Sequence, residues 1–194
     1  MNPLLFTVPI GFGLAYWVLR GRAMSQSQID VERLLEARIT TGVNWSNGVV
    51  ATRDQRLDNA KIIVSEFLAA GYSPRMALAA VTNAIAESQL ANTATGDGGA
   101  SVGLFQLHER GGGKGLSAEQ RQNPVLNTQR IISELRAAYR STWQGYPSLA
   151  DAEAAGADVG ELAGLFAVHV ERPADRAGEY VRRRDLARQL WGSV

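Results

Sequence analysis

Residues 84–109 read AIAESQLANTATGDGGASVGLFQLHE, and this stretch sets the architecture of the chain. Before it, Leu78, Val81 and Ile85 recur at helical spacing, so its first residues end an amphipathic helix. Residues 91–103 are too rich in Gly, Thr and Asn for a helix, which predicts a loop or small hairpin. The stretch therefore predicts one glycine-rich loop or hairpin that interrupts a series of helices.

The sequence on both sides of this stretch has helical periodicity. Ser73-Pro74 and Asn123-Pro124 each resemble an N-cap followed by proline at the first helical position. No strand–helix alternation and no internal repeat is present, so we expect a mostly α domain of the α+β class. Further helices are predicted before Gly42, at about 57–70, at about 158–170 and after Pro173, where Ala177, Tyr180, Val181, Ala187 and Leu190 form the apolar positions.

The N-terminal segment differs from the rest of the chain. Residues 3–19, PLLFTVPIGFGLAYWVL, carry no charge and would span about 26 Å as a helix, slightly less than a bilayer core. Arg20 and Arg22 follow the apolar run, and no basic residue precedes it, unlike a secretory signal. Residues 1–22 are therefore predicted to be an uncleaved anchor or an arm buried in an assembly. Residues 23–56 then form a helix and a linker at 42–56.

Composition excludes several kinds of chemistry. The 194 residues include no cysteine and two histidines, which argues against disulfides, thiolate sites and multi-histidine metal centres. The formal net charge of +1 gives no reason to expect a nucleic-acid partner. We therefore expect neither metal nor cofactor, and chemistry that rests on carboxylates, hydroxyls or the backbone.

Two carboxylates within the quoted stretch are candidates for that chemistry. Glu87 ends the predicted helix, where the helix dipole and partial burial both raise a carboxyl pKa, as a general acid near neutral pH requires. Such an acid can protonate a glycosidic oxygen, and an ionised Asp97 could stabilise the positive charge or orient a water. Taken alone, a helix-ending glutamate is more often simply solvated, and an Asp-Gly pair is more often only a turn.

The wider pattern resembles the lysozyme-like superfamily, especially phage tail lysozymes and lytic transglycosylases. The resemblance is carried by the Glu87-Ser88 pair, the glycine-rich segment and the motif Gly103-Leu104-Phe105-Gln106. The segments GYSP at 71–74 and VERPADRA at 170–177 also match the phage tail lysozyme pattern. The resemblance covers roughly residues 57–191 and implies a lysozyme-like catalytic domain at 57–194.

Carried onto this chain, the resemblance implies that Glu87 is the general acid, with Ser88 beside it as a substrate-binding neighbour. It further implies that Gly103, Phe105 and Gln106 line the cleft that binds the sugar.

Two more positions follow from the same resemblance. Asp97 and Ser101 stand where some lysozymes have a second carboxylate and a hydroxyl that holds the nucleophilic water. The Ala-Tyr-Asn motif of many transglycosylases is missing; residues 168–171, VHVE, occupy its region, which makes Glu171 a candidate cleft residue. This departure leaves the choice between hydrolase and transglycosylase chemistry open.

The function implied is a muramidase that cleaves the β-1,4 bond between N-acetylmuramic acid and N-acetylglucosamine. Its expected partners are peptidoglycan strands and other virion proteins, with membrane contact through residues 3–19 and no nucleic acid. We expect it in a phage virion, in the tail or as an internal component, or membrane-anchored and facing the cell wall. The alternatives are an inactive structural or glycan-binding virion protein and a cellular wall-remodelling enzyme.

Three further motifs match known patterns less well. Residues 99–103 fit a Gly-x-Ser-x-Gly nucleophile elbow, with Asp151 or Asp158 and then His169 in suitable order, but no hydrophobic strand precedes the serine. Residues 111–115 lack the remaining positions of a phosphate loop and are expected to flank the cleft. In the basic run 182–184, Arg184 is expected to pack its stem inward while the other two arginines meet solvent or acidic neighbours.

Overall fold

The computed structural model describes residues 26–41 and 51–192, which form helices around one small antiparallel sheet. This mostly helical α+β architecture confirms the predicted fold class. The strands are β1 (Thr95–Gly96), β2 (Ser101–Val102) and β3 (Leu107–His108). The helices are α1 (Gln26–Thr41), α2 (Arg53–Ala69), α3 (Pro74–Ser88), α4 (Ala118–Gln122), α5 (Pro124–Ala138), α6 (Leu149–Ala154), α7 (Val159–Phe166) and α8 (Arg176–Trp191).

Two helices begin at the prolines that the sequence marks as starts. The Ser73 side chain accepts a hydrogen bond from the backbone N–H of Met76, and Pro74 is the first residue of α3. The Asn123 side chain accepts from the second and third N–H groups of α5, which begins at Pro124. Both caps satisfy N–H groups that have no partner within the helix, so these predictions are confirmed.

Other helix bounds differ from the prediction. Helix α2 begins at Arg53, four residues earlier than expected, because Thr52 and Gln55 form a reciprocal capping box. The short helices α4 and α6, capped by Ser117 and Ser148, were not predicted because five or six residues show no helical period. The first part of the predicted linker, residues 42–50, lies outside the described residues.

Helix α3 is the central helix of the core. Every residue from Met76 to Ile85 is buried, because α2, α7 and α8 pack around it. Helix α1 joins the same core through Val31, Leu35 and Ile39. The backbone turns sharply after Ser88 since Gln89 and Leu90 both adopt positive φ, of 53° and 59°. The last turn of this rigid helix therefore holds residue 87 in a fixed position.

The glycine-rich stretch folds into the small hairpin sheet. Strand β2 pairs with β1 through Thr95↔Val102 and with β3 through Val102↔Leu107, both antiparallel. A 3₁₀ turn at Asp97–Gly99 joins β1 to β2. The sheet is anchored by Asn127 of α5, which is fully buried and hydrogen-bonds the carbonyl of Val102 and the N–H of Phe105.

No helix within residues 26–41 and 51–192 is both long and apolar enough to cross a membrane. The predicted anchor or assembly arm at residues 1–22, with its apolar run at 3–19, lies outside the described residues.

Gly103 gives a test of how tightly the sheet packs on α5. Its φ is +89°, and an added Cβ would lie 2.2 Å from the Arg121 carbonyl oxygen and 2.3 Å from Asn127 Nδ2. We expect Gly103→Ala to lower the free energy of unfolding by about 3–5 kcal/mol, because positive φ and a backbone clash both act against alanine. Urea unfolding measures this.

Gly99→Ala is the matched control. Gly99 has a similar φ of +96°, but nothing lies within 4 Å of its added Cβ. Only the backbone strain remains, so we expect a loss of about 1–2 kcal/mol. Equal losses in the two variants would contradict the close packing of Gly103 on Asn127.

Candidate active site

A cleft of about 570 Å³ opens at the end of α3. Its walls come from Glu87, from residues of the sheet region between 96 and 112, from α5 and from residues 170–173. Six of the predicted site residues line it: Glu87, Asp97, Ser101, Phe105, Gln106 and Glu171. Gly111 and Gly112 also line it, so the glycine-rich loop flanks the cleft as expected.

Glu87 occupies the last turn of α3, where its side chain is 25% exposed and forms an ion pair with Arg183. Burial raises the pKa of the Glu87 carboxyl, whereas the positive charge of Arg183 lowers it and the negative charge of Glu179 raises it again. The result is a carboxyl that keeps its proton to a higher pH than a solvated glutamate does. That is the property a general acid needs, and the catalytic role of Glu87 stays a prediction.

Arg183 was not among the predicted site residues. It is 9% exposed, and its guanidinium contacts Glu87, lies 3.5 Å from Glu171 Oε2 and 3.2 Å from Glu179 Oε2. Its Nε donates to Asn83 Oδ1 at 3.1 Å. One buried cation thus faces three carboxyl groups from three elements.

The expectation that Arg184 packs inward is wrong. Arg184 is half-buried and pairs with Asp185 at 3.1 Å, while Val181 is 43% exposed. The inward face of α8 is instead formed by Arg183, Ala187, Leu190 and Trp191. Arg183, one residue before Arg184, takes the buried position, while Ala187 and Leu190 are buried as predicted.

Glu171 ends a π-helical turn, Ala167–Glu171, which continues α7. Its side chain is 9% exposed, and both carboxyl oxygens are closed to solvent and lack a hydrogen-bond donor. Burial and the negative charge of the nearby Glu87 raise the pKa of Glu171 while Arg183 lowers it, and together they bring the pKa to about 8. π-Helical turns often occur at functional sites because they displace one residue from the regular helical face.

The high pKa of Glu171 predicts a pH-dependent stability. Its folded-state pKa of about 8 lies above the ordinary 4.5, so between these values the folded state binds more protons than the unfolded state. This contribution is complete below the unfolded pKa and is lost as pH rises through about 8. We expect Glu171→Gln, which resembles the protonated acid, to unfold like wild type at about pH 4 and to be more stable by a few kcal/mol above about pH 8. Urea unfolding at several pH values measures the difference, and a difference that does not change with pH would contradict the buried acid.

Asp97 and Ser101 lie together at the sheet side of the cleft. Ser101 Oγ donates a hydrogen bond to Asp97 Oδ2 at 2.5 Å. Asp97 is exposed and has φ of 50°, a conformation that is costly for a non-glycine residue and often occurs at functional sites. The pair could hold a water between a carboxylate and a hydroxyl, and its assigned role stays a prediction.

Gln106 and Phe105 line the cleft, and both side chains also make contacts with neighbouring residues that hold them in place. Gln106 Nε2 donates to the carbonyls of Ala94 and Gly103, at 3.2 and 2.9 Å, so its amide donors are already used within the sheet region. Phe105 is 4% exposed, and its ring centroid lies 6.3 Å from that of Phe166.

Two predicted substrate-binding residues are not part of the cleft lining. Ser88 is buried, and its hydroxyl hydrogen-bonds with the carbonyls of Ala84 and Leu104. Gly103 packs against the backbone of Arg121 and the side chain of Asn127. Both residues lie behind the cleft wall and fasten α3 and α5 to the sheet.

Neither a nucleophile elbow nor a metal cluster is formed by the described residues. Ser101 lies within the two-residue strand β2 and bonds Asp97, while His169 Nε2 is 2.9 Å from the Pro147 carbonyl oxygen. Within residues 26–41 and 51–192, no group of three His, Asp or Glu side chains is arranged to hold a metal ion.

Comparison with known proteins identifies the family of the chain. The model of one protein family, phage tail lysozyme, matches residues 58–193, well over half of the chain. Comparison with curated proteins and with solved structures finds no match. The matched range contains the cleft, α3 from its first residue, the sheet and α8. The chain therefore belongs to the phage tail lysozyme family.

Proposed function

We propose that this protein is a virion-associated muramidase that cleaves the β-1,4 bond between N-acetylmuramic acid and N-acetylglucosamine, with residues 57–194 as the catalytic unit. The observation that carries the proposal is Glu87, a partly buried carboxyl with a raised pKa at the wall of a 570 Å³ cleft. Membership of the phage tail lysozyme family agrees with this substrate class.

In the proposed reaction Glu87 is the general acid. Its carboxyl proton moves to the glycosidic oxygen while the bond to the anomeric carbon breaks, and positive oxocarbenium character develops on the sugar ring. Asp97 stabilises this charge from the sheet side of the cleft, and its hydrogen bond to Ser101 keeps the carboxylate in place. Glu87, now ionised, accepts a proton from the hydroxyl that captures the anomeric carbon.

That hydroxyl belongs either to water or to C6 of the muramic acid. Capture by water gives a reducing end and defines a hydrolase, whereas capture by the 6-hydroxyl gives an anhydro end and defines a lytic transglycosylase. Ser101, hydrogen-bonded to Asp97 within the cleft, is suited to hold a water, which favours the hydrolase.

The test is digestion of purified peptidoglycan of several chemotypes by the full-length protein, with the products identified by mass spectrometry. We expect disaccharide muropeptides that carry reducing ends. Anhydro ends would change the assignment to a transglycosylase, and the absence of any glycan product from every chemotype would overturn the proposed activity.

The proposed location is the phage virion, where the protein would contact other virion proteins and meet the wall during entry. Mass spectrometry of purified particles tests this part separately, and we expect peptides of this chain at a constant ratio to the tail proteins. Particles that lack the chain would contradict the location without affecting the proposed chemistry.

A further inference from the structure

Three carboxyl groups and one guanidinium group are packed together, and two of the carboxyls, those of Glu87 and Glu171, line the cleft. Glu87 comes from α3, Glu171 from the π-helical turn, and Glu179 and Arg183 from α8. If all three carboxyls were ionised, this partly buried cluster would carry a net charge of −2. Burial of unbalanced charge is costly, so the cluster favours uptake of a proton.

The surroundings of Glu171 indicate where that proton resides. Both of its oxygens are closed to solvent and receive no hydrogen bond from any N–H or O–H donor. A buried carboxylate in this condition is rare, because ionised carboxylates require donors. The carboxyl of Glu87 is its neighbour, and two carboxyls can hydrogen-bond only when one of them carries a proton.

Arg183 makes the two carboxyls unequal. Its Nη2 is in direct contact with Glu87 Oε1 but lies 3.5 Å from Glu171 Oε2, without a hydrogen bond. The guanidinium therefore stabilises the anion of Glu87 more than that of Glu171. Burial raises the pKa of both carboxyls, but the charge of Arg183 and a hydrogen bond from Glu171 counteract this at Glu87, whereas the pKa of Glu171 reaches about 8.

The other charged groups of this wall do not supply a second cation to the pair. Glu134 of α5 lines the same cleft and is 3.2 Å from Arg172 and 3.7 Å from Arg130. Glu179 contacts Arg183 and Arg182. Among the described residues, Arg183 is thus the positively charged side chain that pairs with both Glu87 and Glu171.

We propose that Glu171 stores the proton that Glu87 delivers to the leaving sugar, so that the two carboxyls act as one proton-sharing pair. In the resting state Glu171 is a neutral acid and Glu87 is an anion paired with Arg183. When the sugar displaces water from the cleft, the proton passes from Glu171 to Glu87. Glu87 then donates it to the glycosidic oxygen as the bond from that oxygen to the anomeric carbon breaks.

The cycle closes without any further reagent. The hydroxyl that captures the anomeric carbon releases its proton to Glu87, and this proton returns to Glu171. Glu171 does not touch the reacting atoms in this scheme, so it is a positioning residue that acts through Glu87. The inference rests on the proposed function for its role in the reaction, whereas the sharing of one proton is a property of the free protein.

The test combines a pH–rate profile with a titration. Peptidoglycan cleavage by full-length wild type and Glu171→Gln is measured from about pH 5 to about pH 9. We expect wild-type activity to fall near the pH at which Glu171 loses its proton, about 8. In Glu171→Gln the fall is expected at least one pH unit lower, with a loss of about 100-fold at neutral pH that becomes smaller in acid. Glu119→Gln, an exposed residue outside the cleft lining, is the matched control and is expected to keep the wild-type profile.

Carbon-13 NMR of the glutamate side-chain carboxyls in free wild-type protein gives a readout that requires neither substrate nor a variant. We expect the signals of Glu87 and Glu171 to move together in two steps, one of them near pH 8. Independent single-step titrations, or a Glu171→Gln profile equal to that of wild type, would overturn the inference while leaving the proposed function intact. Wild-type protein that cleaves no peptidoglycan would instead overturn the proposed function.

Discussion

Replacing Glu87 with glutamine is expected to reduce peptidoglycan cleavage by about 10²- to 10⁴-fold, which is the usual contribution of a general acid. Glutamine has nearly the same shape and can still contact Arg183, but it has no carboxyl proton to give to the glycosidic oxygen. The residue lies in the last turn of α3, whose preceding residues 76–85 are buried, so the exchange leaves the helix in place. Initial rates of muropeptide release measure the loss.

The matched control is Glu109→Gln, which makes the same chemical change on a 52%-exposed side chain outside the cleft lining. We expect it to cleave at the wild-type rate. Circular dichroism of both variants checks that the fold is retained. If Glu87→Gln cleaves at the wild-type rate, Glu87 is not the general acid of the reaction.

Arg183→Met is expected to lower the free energy of unfolding strongly. The substitution leaves three carboxyls without their common cation, and removing one partner from a buried ion pair typically costs about 3–5 kcal/mol. It also leaves Asn83 Oδ1 without the donor that lies at 3.1 Å in the wild type. The loss is expected to be smaller in acid, because carboxyls that take up protons no longer need the positive charge. Urea unfolding at about pH 5 and about pH 8 measures both effects.

Arg182→Met is the matched control, because it makes the same change in charge and side-chain length at an exposed position. Arg182 is 57% exposed and pairs with Asp175 and Glu179 at the surface, where ion pairs contribute about 0–1 kcal/mol. We expect its free energy of unfolding to stay within about 1 kcal/mol of wild type. Similar losses in the two variants, or a loss in Arg183→Met that grows in acid, would contradict the buried cluster.

Local signals in the sequence predicted much of the fold. The caps at Ser73 and Asn123 act within three residues, so the starts of α3 and α5 could be derived without tertiary information. The glycine-rich composition of residues 91–103 likewise predicted the hairpin region. The same local reasoning placed Glu87 at the end of a helix, where the structure has it.

Long-range contacts explain what the sequence could not predict. Arg183 meets Glu87 across 96 residues, and it lies in a run of three arginines that differ only in helical register. The choice among them depends on how α8 packs on α3 and α7, which composition does not encode. Asn127 is similar, because nothing near it in the sequence indicates that its amide anchors a sheet 25 residues away.

In the candidate site, too, local motifs are predictable from the sequence but their three-dimensional contacts are not. Ser88 and Gly103 belong to motifs that the resemblance associates with sugar binding, yet their side chain and backbone are used to join helices to the sheet. A motif records which residues occur together but not whether each one reaches the cleft or supports it from behind. Asp97, Ser101 and Glu171, which the resemblance also suggested, do line the cleft.

The most direct test of the account is the count of new glycan chain ends in purified sacculi treated with wild type and with Glu87→Gln side by side. We predict that wild type generates new muramic acid ends, reducing or anhydro, while Glu87→Gln generates at least about 100-fold fewer at the same protein concentration. Equal numbers of new ends from the two proteins, or none from wild type, would contradict the assignment of Glu87 as the acid of a muramidase.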